Sequence, residues 1–279
     1  MFVRNKLRQG ESFSSRYGAG KSVSKSKKHS FRDHSVAAGV KRAESSAQPS
    51  PRKDQSSDPT SPNLTSAIIT LVVGPDQRLF AAHEDVLCNS SFFQAACRGQ
   101  FLESHAKRIN LPEESPEILS SVLEFLYKGD YYPKLLHNKR KDTWELEDRG
   151  ANGNNESTIY HHAVGGNLLK DTVIYCAALR YDLPELGRLA LRKQGLQSGI
   201  QVSTILSSAR YAYAQTPDTD SKLRAHYLAL IIRSKNTFKR SGTMQMEMEE
   251  GGRLFFDLFV AMCNHIDDLG TISRSPFTR

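Results

Sequence analysis

The apolar positions of the chain form a strand-like pattern that begins near Leu64. Residues 68–73 are aliphatic and β-branched, residues 74–77 read Gly-Pro-Asp-Gln, and an extended run resumes at residues 79–81. Two apolar runs joined by turn residues predict a β-hairpin. Residues 108–111 alternate between polar and apolar side chains, which predicts another strand.

A helical pattern governs most of the remaining chain. The clearest helix is predicted to start at Ser115-Pro116, to carry an apolar stripe from Ile118 to Leu126, and to end at Gly129. Further helices are predicted over 84–88, 92–98, 171–181, 184–192, 202–214, 221–238 and 247–267. The pattern thus combines a hairpin and one further strand with many helices, which indicates the α+β class.

A long polar stretch interrupts this pattern. Residues 137–158 are almost wholly polar, and we predict a surface insertion or flexible loop that extends over about 137–162. Trp144, the only tryptophan, lies inside it. It is interpreted either as a docking anchor or, preferably, as a partly covered loop aromatic.

Charge separates the first 63 residues from the rest. Residues 1–63 contain 14 serines and 13 Lys/Arg against five Asp/Glu, whereas residues 64–279 contain 25 of each charge. The apolar residues of 1–63 are isolated, so this segment is predicted to be a disordered basic tail. Its run at 21–28 can be interpreted as a nuclear-import or nucleic-acid patch, but a solvated tail is favoured.

Several protein classes are disfavoured by the same sequence. The longest apolar stretch is far too short to cross a bilayer, and the amino terminus has no apolar signal core. The four cysteines form no Cys-x-x-Cys pair, so we expect reduced, buried thiols in the nucleus and/or cytoplasm. His161-His162 and the Cys263/Asp267 pair lack partners at metal-ligand spacing. We therefore expect no enzyme activity, no metal and no cofactor.

Six sequence motifs, taken in order, resemble those of the BTB/POZ domain. They are Phe-Ala-Ala-His-Glu-Asp-Val-Leu at 80–87, Ser-Ser-Phe-Phe at 90–93, Ile-Asn-Leu-Pro at 109–112, Pro-Glu-Ile at 116–118, Leu-Glu-Phe-Leu-Tyr-Lys-Gly at 123–129 and Val-Ile-Tyr-Cys-Ala-Ala-Leu-Arg-Tyr-Asp-Leu at 173–183. The resemblance covers about 67–133 and 168–197, and the chain as a whole resembles BTB proteins of filamentous fungi. We therefore predict a tail at 1–63, a BTB/POZ domain at 64–197 and a helical extension at 198–279.

The resemblance implies the α+β BTB/POZ fold, a small three-stranded sheet covered by helices. It also implies a protein-interaction module. The best-known role in the family is that of an adaptor, which binds a cullin scaffold while another region captures a client for ubiquitination. Such adaptors carry a large apolar residue, any residue and then Glu after the second short helix, and Phe101, Leu102 and Glu103 stand at that place. Alternatively, Phe101 caps the core and Glu103 is solvated. Tyr131 and Tyr132 are further contact candidates, but core or edge packing is the favoured interpretation for them.

Two departures from the family pattern limit what the resemblance implies. Ile68 and Glu84 stand where many BTB domains have an Asp and a basic residue that form a charged pocket, which disfavours co-repressor recruitment through that pocket. Residues 56–67 contain prolines and no apolar stripe, so the exchanged helix of dimeric BTB domains is not predicted. A monomer or a different assembly is expected. The alternative function is a nuclear regulatory or scaffold protein whose basic tail binds nucleic acid.

Overall fold

The computed structural model describes residues 66–98, 107–147 and 157–273, with side chains to residue 270. All of them belong to one compact unit, Pro62–Arg279. No helix within these described ranges has the length and apolar character needed to span a membrane.

The strands form one three-stranded sheet and two separate hairpins. Their bounds are β1 Ile68–Val73, β2 Arg78–His83, β3 Arg108–Leu111, β4 Leu135–Asn138, β5 Thr143–Leu146, β6 Thr158–His161 and β7 Gly166–Leu169. The sheet has the order β2-β1-β3, with β2 antiparallel and β3 parallel to β1. Gly74 begins the β1–β2 turn with a φ of 73°, a conformation that glycine adopts without strain. The predicted hairpin and third strand are confirmed.

The helices occupy the remaining described residues. Their bounds are α1 Glu84–Leu87, α2 Ser91–Arg98, α3 Pro116–Lys128, α4 Lys170–Arg180, α5 Pro184–Gln194, α6 Val202–Gln215, α7 Lys222–Arg233, α8 Lys235–Phe238, α9 Gly242–Glu250 and α10 Arg253–Ser273. Helix α3 has the predicted bounds, since Pro116 opens it and Gly129 ends it in the left-handed region.

Two predicted helices are each divided in the structure. The helix predicted over 221–238 is α7 followed by the single turn α8. The helix predicted over 247–267 is the end of α9 followed by α10, because Gly251 and Gly252 adopt φ values of 75° and 105° and break the helix. Positive φ at two successive residues is incompatible with a continuous α-helix, and glycine adopts it readily.

Of the two alternatives predicted for the polar stretch, a surface insertion or a flexible loop, the flexible loop is wrong for residues 137–147. They lie largely in the β4–β5 hairpin, where the His137 and Trp144 rings face each other with centroids 4.6 Å apart. The Arg192 guanidinium lies 4.9 Å from the Trp144 ring, which joins the hairpin to α5. Cross-strand ring contacts therefore stabilise a segment that shows no apolar periodicity. Residues 148–156 lie outside the described residues.

One hydrophobic core extends from the three-stranded sheet to the start of α10. Helix α6 packs against β7 and α4, and the Ser208 hydroxyl accepts the Leu169 N–H at 2.8 Å. The hydroxyl groups of Thr172 and Tyr227, both fully buried, are hydrogen-bonded to each other between α4 and α7. The carboxyl-terminal helices thus share their core with the sheet rather than forming a separate one.

Candidate protein-interaction surface

Helix α2 is held in place by the residues at its amino end. The Ser90 hydroxyl, which is completely buried, donates to the Tyr181 carbonyl at 2.6 Å and accepts the Phe93 N–H at 3.2 Å. The Phe93 ring stacks on the Tyr181 ring with centroids 4.9 Å apart. Capping and ring stacking therefore anchor α2 to the carboxyl end of α4.

The predicted contact residues follow directly after α2. Phe101, Leu102 and Glu103 all fall within residues 99–106, which lie outside the described residues, so their prediction remains a prediction. Both flanks are described: Cys97 and Ile109 are buried, whereas Arg98 and Lys107 are exposed. The elements on either side of the segment, α2 and β3, are therefore both anchored in the core.

The two tyrosines predicted as contacts occupy different environments. Tyr131 has no exposed surface, so its side chain belongs to the core. It is therefore not a contact residue, and the core packing expected for it is what the structure has. Tyr132 is 37% exposed, and its N–H donates to the Glu124 carboxylate at 3.0 Å. The chain thus places one of two adjacent rings inside the protein and the other at its surface. Tyr132 remains available to a partner.

A buried lysine determines the course of this segment. The Lys193 side chain, on α5, is fully buried, and its ammonium is paired with Asp130 and donates to the Tyr131 and Pro133 carbonyls. The ammonium also lies 3.6 Å from the centroid of the Tyr131 ring. All of these partners lie between α3 and β4. Lys193 thus fixes the backbone that presents Tyr132.

The buried carboxylate of Asp171 completes this cluster. It accepts the Tyr131 hydroxyl and the Gln197 amide, both at 2.8 Å. Burial raises the pKa of Asp171, and the two hydrogen bonds and the Lys193 charge act against that rise. Burial lowers the pKa of Lys193, while the neighbouring Asp130 opposes that decrease. The pKa of Tyr131 lies well above 10 because its ring is desolvated beside a carboxylate, so its hydroxyl stays a donor.

The structure also describes the residues that stand where many BTB domains have a charged pocket. His83 contacts Tyr127 on α3, since its Nδ1 lies 2.7 Å from the Tyr127 hydroxyl and its backbone N–H donates to the same oxygen. Ile68 pairs with His83 across the hairpin and is largely exposed. Glu84 begins α1 and donates its N–H to the Ala67 carbonyl. The exposed Ile68 therefore stands at the position where a charged pocket would need a buried Asp.

The cysteines differ from the prediction at one position. Cys97 and Cys176 are buried and Cys88 is partly buried, but Cys263 is exposed on α10. Burial raises the pKa of Cys97 to about 11, so its thiol stays protonated and acts as a small apolar group. Nowhere in residues 66–98, 107–147 and 157–273 do three His, Cys, Asp or Glu side chains form a group that could hold a metal ion.

Sequence reasoning missed a groove of about 1210 Å³ between the β6–β7 hairpin, α6 and the residues that precede α3. Each of three guanidinium groups in it is paired with a carboxylate: Arg78 with Glu117, Arg180 with Glu114 and Arg210 with Glu247. Residues from six separate segments line the groove, so no local pattern could have indicated it. Its mutually paired charges do not point to an ionic substrate.

Comparison with known families agrees with this architecture. The family model described as the BTB/POZ domain matches residues 68–143, from the first residue of β1 to the first residue of β5. A search of curated proteins finds no relative that matches the chain. The chain therefore contains a BTB/POZ domain, which is a protein-interaction module. The matched range includes the α2–β3 connection and Tyr132.

Replacing Ser90 tests how α2 is anchored. We expect Ser90→Ala to lower the free energy of unfolding by about 1–2 kcal/mol, because it removes a cap and leaves a buried carbonyl without its donor. The matched control is Ser91→Ala, which removes an exposed hydroxyl that donates to Asp182 and should cost at most about 0.5 kcal/mol. Urea unfolding of both variants measures the difference. Equal losses would contradict the anchoring role.

Replacing Lys193 tests the cluster beneath Tyr132. We expect Lys193→Met to destabilise the protein by about 3–5 kcal/mol, because the partly buried Asp130 carboxylate and two carbonyls lose their cationic donor. Lys222→Met is the control, since Lys222 is an exposed lysine at the start of α7. Guanidinium chloride unfolding should separate the two variants by their midpoints. A Lys193→Met protein as stable as the control would show that the buried ammonium is dispensable.

Proposed function

We propose that this protein is a non-enzymatic adaptor that links a client protein to a cullin-type ubiquitin ligase in the nucleus or cytoplasm. The observation that carries the proposal is the BTB/POZ domain itself, matched over residues 68–143. Within it, the sequence Phe101-Leu102-Glu103 stands at the place where the family's adaptors contact their scaffold. No cofactor is part of the proposed activity.

The proposed contact has a plain physical basis. An aromatic ring that leaves water on binding supplies most of the affinity, and a charge beside it fixes the orientation of the partner. Phe101 would supply the ring and Glu103 the charge. The anchored ends of the segment support this role, because α2 is held through Ser90 and β3 is held by its pairing with β1.

Tyr132 extends the proposed contact surface. Its ring is partly exposed, and the Lys193 cluster fixes the backbone that carries it. A rigid aromatic of this kind is a favourable interface residue because it buries much area for few rotatable bonds. Client capture is assigned to the β-hairpins, the carboxyl-terminal helices or the tail. The shared core would then hold the hairpins and helices in a fixed relation to the scaffold-binding side.

The direct test is a pull-down of the host's BTB-binding cullin with the full chain. We expect the double variant Phe101→Ala/Glu103→Ala to bind at least about tenfold more weakly, because truncating a hot spot costs about 2 kcal/mol or more. The matched control is Tyr160→Ala/Glu145→Ala, which removes an exposed aromatic and a Glu from the two separate hairpins. Circular dichroism should show that both variants fold.

Each other outcome of this pull-down contradicts part of the proposal. Equal binding by the wild type and by Phe101→Ala/Glu103→Ala would retain the adaptor function and reject the site. Loss of binding in the Tyr160→Ala/Glu145→Ala control would move the contact to the hairpins. Absence of binding by the folded wild type would reject the adaptor function.

The alternative function is a nuclear regulatory or scaffold protein that binds nucleic acid through its tail. The observation that favours it is the concentration of the whole excess of positive charge in residues 1–63, beside a neutral remainder. Binding through such a tail would weaken steeply as the salt concentration rises, because it depends on the release of counterions from phosphates. DNA binding that persists after deletion of residues 1–63 would exclude this role for the tail.

A further inference from the structure

The β6–β7 hairpin leaves one edge of β6 open. Among the described residues, β6 pairs with β7 alone. The Ser157 carbonyl accepts the Lys170 N–H at 2.9 Å, so the hydrogen-bonded pairs with β7 stand at residues 157, 159 and 161. In an antiparallel pair the residues between them turn their backbone groups outward. The N–H and C=O groups of Thr158 and Tyr160 therefore point away from β7.

This open edge of β6 borders the groove between the β6–β7 hairpin, α6 and the residues that precede α3. All four residues of β6 line the groove, whereas none of the residues of β7 does. The outer edge of β7 is covered by α6 instead, since the Leu169 backbone N–H donates to the Ser208 hydroxyl there. The groove thus lies beside the edge that pairs with no other described strand.

The sequence of β6 lacks the features that usually keep an edge strand from pairing. Such strands are commonly protected by proline, lysine or other charged side chains. Strand β6 reads Thr-Ile-Tyr-His, with three residues that favour the extended conformation and neither proline nor lysine. Burial lowers the pKa of His161, so its side chain is neutral at pH 7. An extended chain can therefore pair with this edge without meeting a charge on the strand.

The charges of the groove favour a basic occupant. Its lining has three guanidinium groups but five carboxylates, which are those of Asp76, Glu113, Glu114, Glu117 and Glu247. Asp76 and Glu113 are exposed, and neither is paired with a cation in the part of the chain that the structure describes. Both lie on the wall where the Gly74 N–H donates to the Leu111 carbonyl at 3.0 Å. Lysine or arginine side chains of an occupant would complement these two carboxylates.

The groove is large enough for a peptide. Its volume of about 1210 Å³ exceeds the volume of about 300–1,000 Å³ that is usual for small-molecule sites. Tyr160 and Val164, which are 57% and 43% exposed, add apolar contact area on the hairpin side. The guanidinium groups of the described lining residues are already paired with carboxylates, which disfavours an anionic ligand.

From these observations we propose that the groove binds a basic peptide segment, which adds as a third strand to the open edge of β6. Thr158 and Tyr160 supply the backbone hydrogen bonds, as in other cases of strand addition. Asp76 and Glu113 receive the lysine or arginine side chains of the peptide. Peptide binding itself is independent of the cullin contact, but as the place of client capture the groove rests on the adaptor function proposed above.

The proposal is tested first by selection of short random peptides, displayed on phage, with the full chain and without cullin. We expect enrichment of peptides that contain Lys or Arg and lack proline in the bound stretch, because the groove is acidic and proline cannot donate to a strand. The consensus peptide then serves as the probe in fluorescence anisotropy. No enrichment over an empty support, or a consensus without basic residues, would overturn the proposal.

Neutralising the two exposed carboxylates tests the role of charge. We expect Asp76→Asn/Glu113→Gln to bind the consensus peptide about fivefold more weakly, because two exposed charge pairs are lost. The matched control is Asp142→Asn/Glu145→Gln, which makes the same change of net charge on the β4–β5 hairpin and should bind like the wild type. Equal weakening in both variants would show a general attraction by net charge and would reject the site.

Strand addition is tested by N-methylation of the consensus peptide at one backbone nitrogen at a time. Binding should fall about tenfold at alternate positions, because only every second N–H of an added strand points at β6. Tyr160→Pro, which removes an outward N–H of β6, should weaken binding similarly, and Tyr160→Ala, which keeps that N–H, should weaken it less. The methylation series does not depend on whether Tyr160→Pro folds. Binding that is insensitive to methylation would overturn strand addition.

These measurements separate the groove from the adaptor function. No cullin is present in them, so failure of peptide binding would leave the cullin pull-down unaffected, and the reverse also holds. The other possible occupant of the edge is a second copy of the chain. Light scattering would then give twice the 31.2 kDa of one chain, and the consensus peptide would dissociate the dimer. That result would overturn the proposal of a peptide partner.

Discussion

The buried ammonium of Lys193 is the interaction on which the arrangement of the interaction surface depends. It pairs with Asp130 and donates to the carbonyls of Tyr131 and Pro133. These contacts fasten the end of α5 to the turn after α3. A fully buried charge is tolerated only when its hydrogen-bonding capacity is met, and here a carboxylate and two carbonyls meet it. The same contacts determine that Tyr131 faces the core and that Tyr132 faces solvent.

This constraint connects the BTB/POZ domain with the helices that follow it. Asp171 on α4 bonds both Tyr131 and Gln197, while the Thr172 hydroxyl beside it donates to Gln194 at the end of α5 and is hydrogen-bonded to Tyr227 on α7. The polar groups of the core thus run from the turn after α3 to the carboxyl-terminal helices. A partner bound at one end of this unit would be held at a defined distance from a partner bound at the other.

The sequence predicts those parts of the fold that local signals determine. The β1–β2 turn, the start of α3 at Pro116 and its end at Gly129 follow from the backbone preferences of proline and glycine. The burial of Lys193 could not be predicted, because a lysine in the last turn of a helix ordinarily interacts with solvent and the helix dipole. The β4–β5 hairpin was missed for a related reason. The Trp144 ring on β5 contacts the guanidinium of Arg192, which is distant in sequence, so no local pattern indicates this contact. Of the candidate site, the position of Tyr132 is described, whereas residues 99–106 lie outside the described ranges.

The central claim is that the α2–β3 connection of the BTB/POZ domain binds a cullin scaffold. Hydrogen–deuterium exchange of the full chain, with and without the purified cullin, tests it most directly because it locates the contact without altering a residue. The account predicts slower exchange at residues 99–106 and at Tyr132 in the complex, with unchanged exchange in the β6–β7 hairpin. Protection confined to that hairpin or to the carboxyl-terminal helices, with none at 99–106, would contradict it.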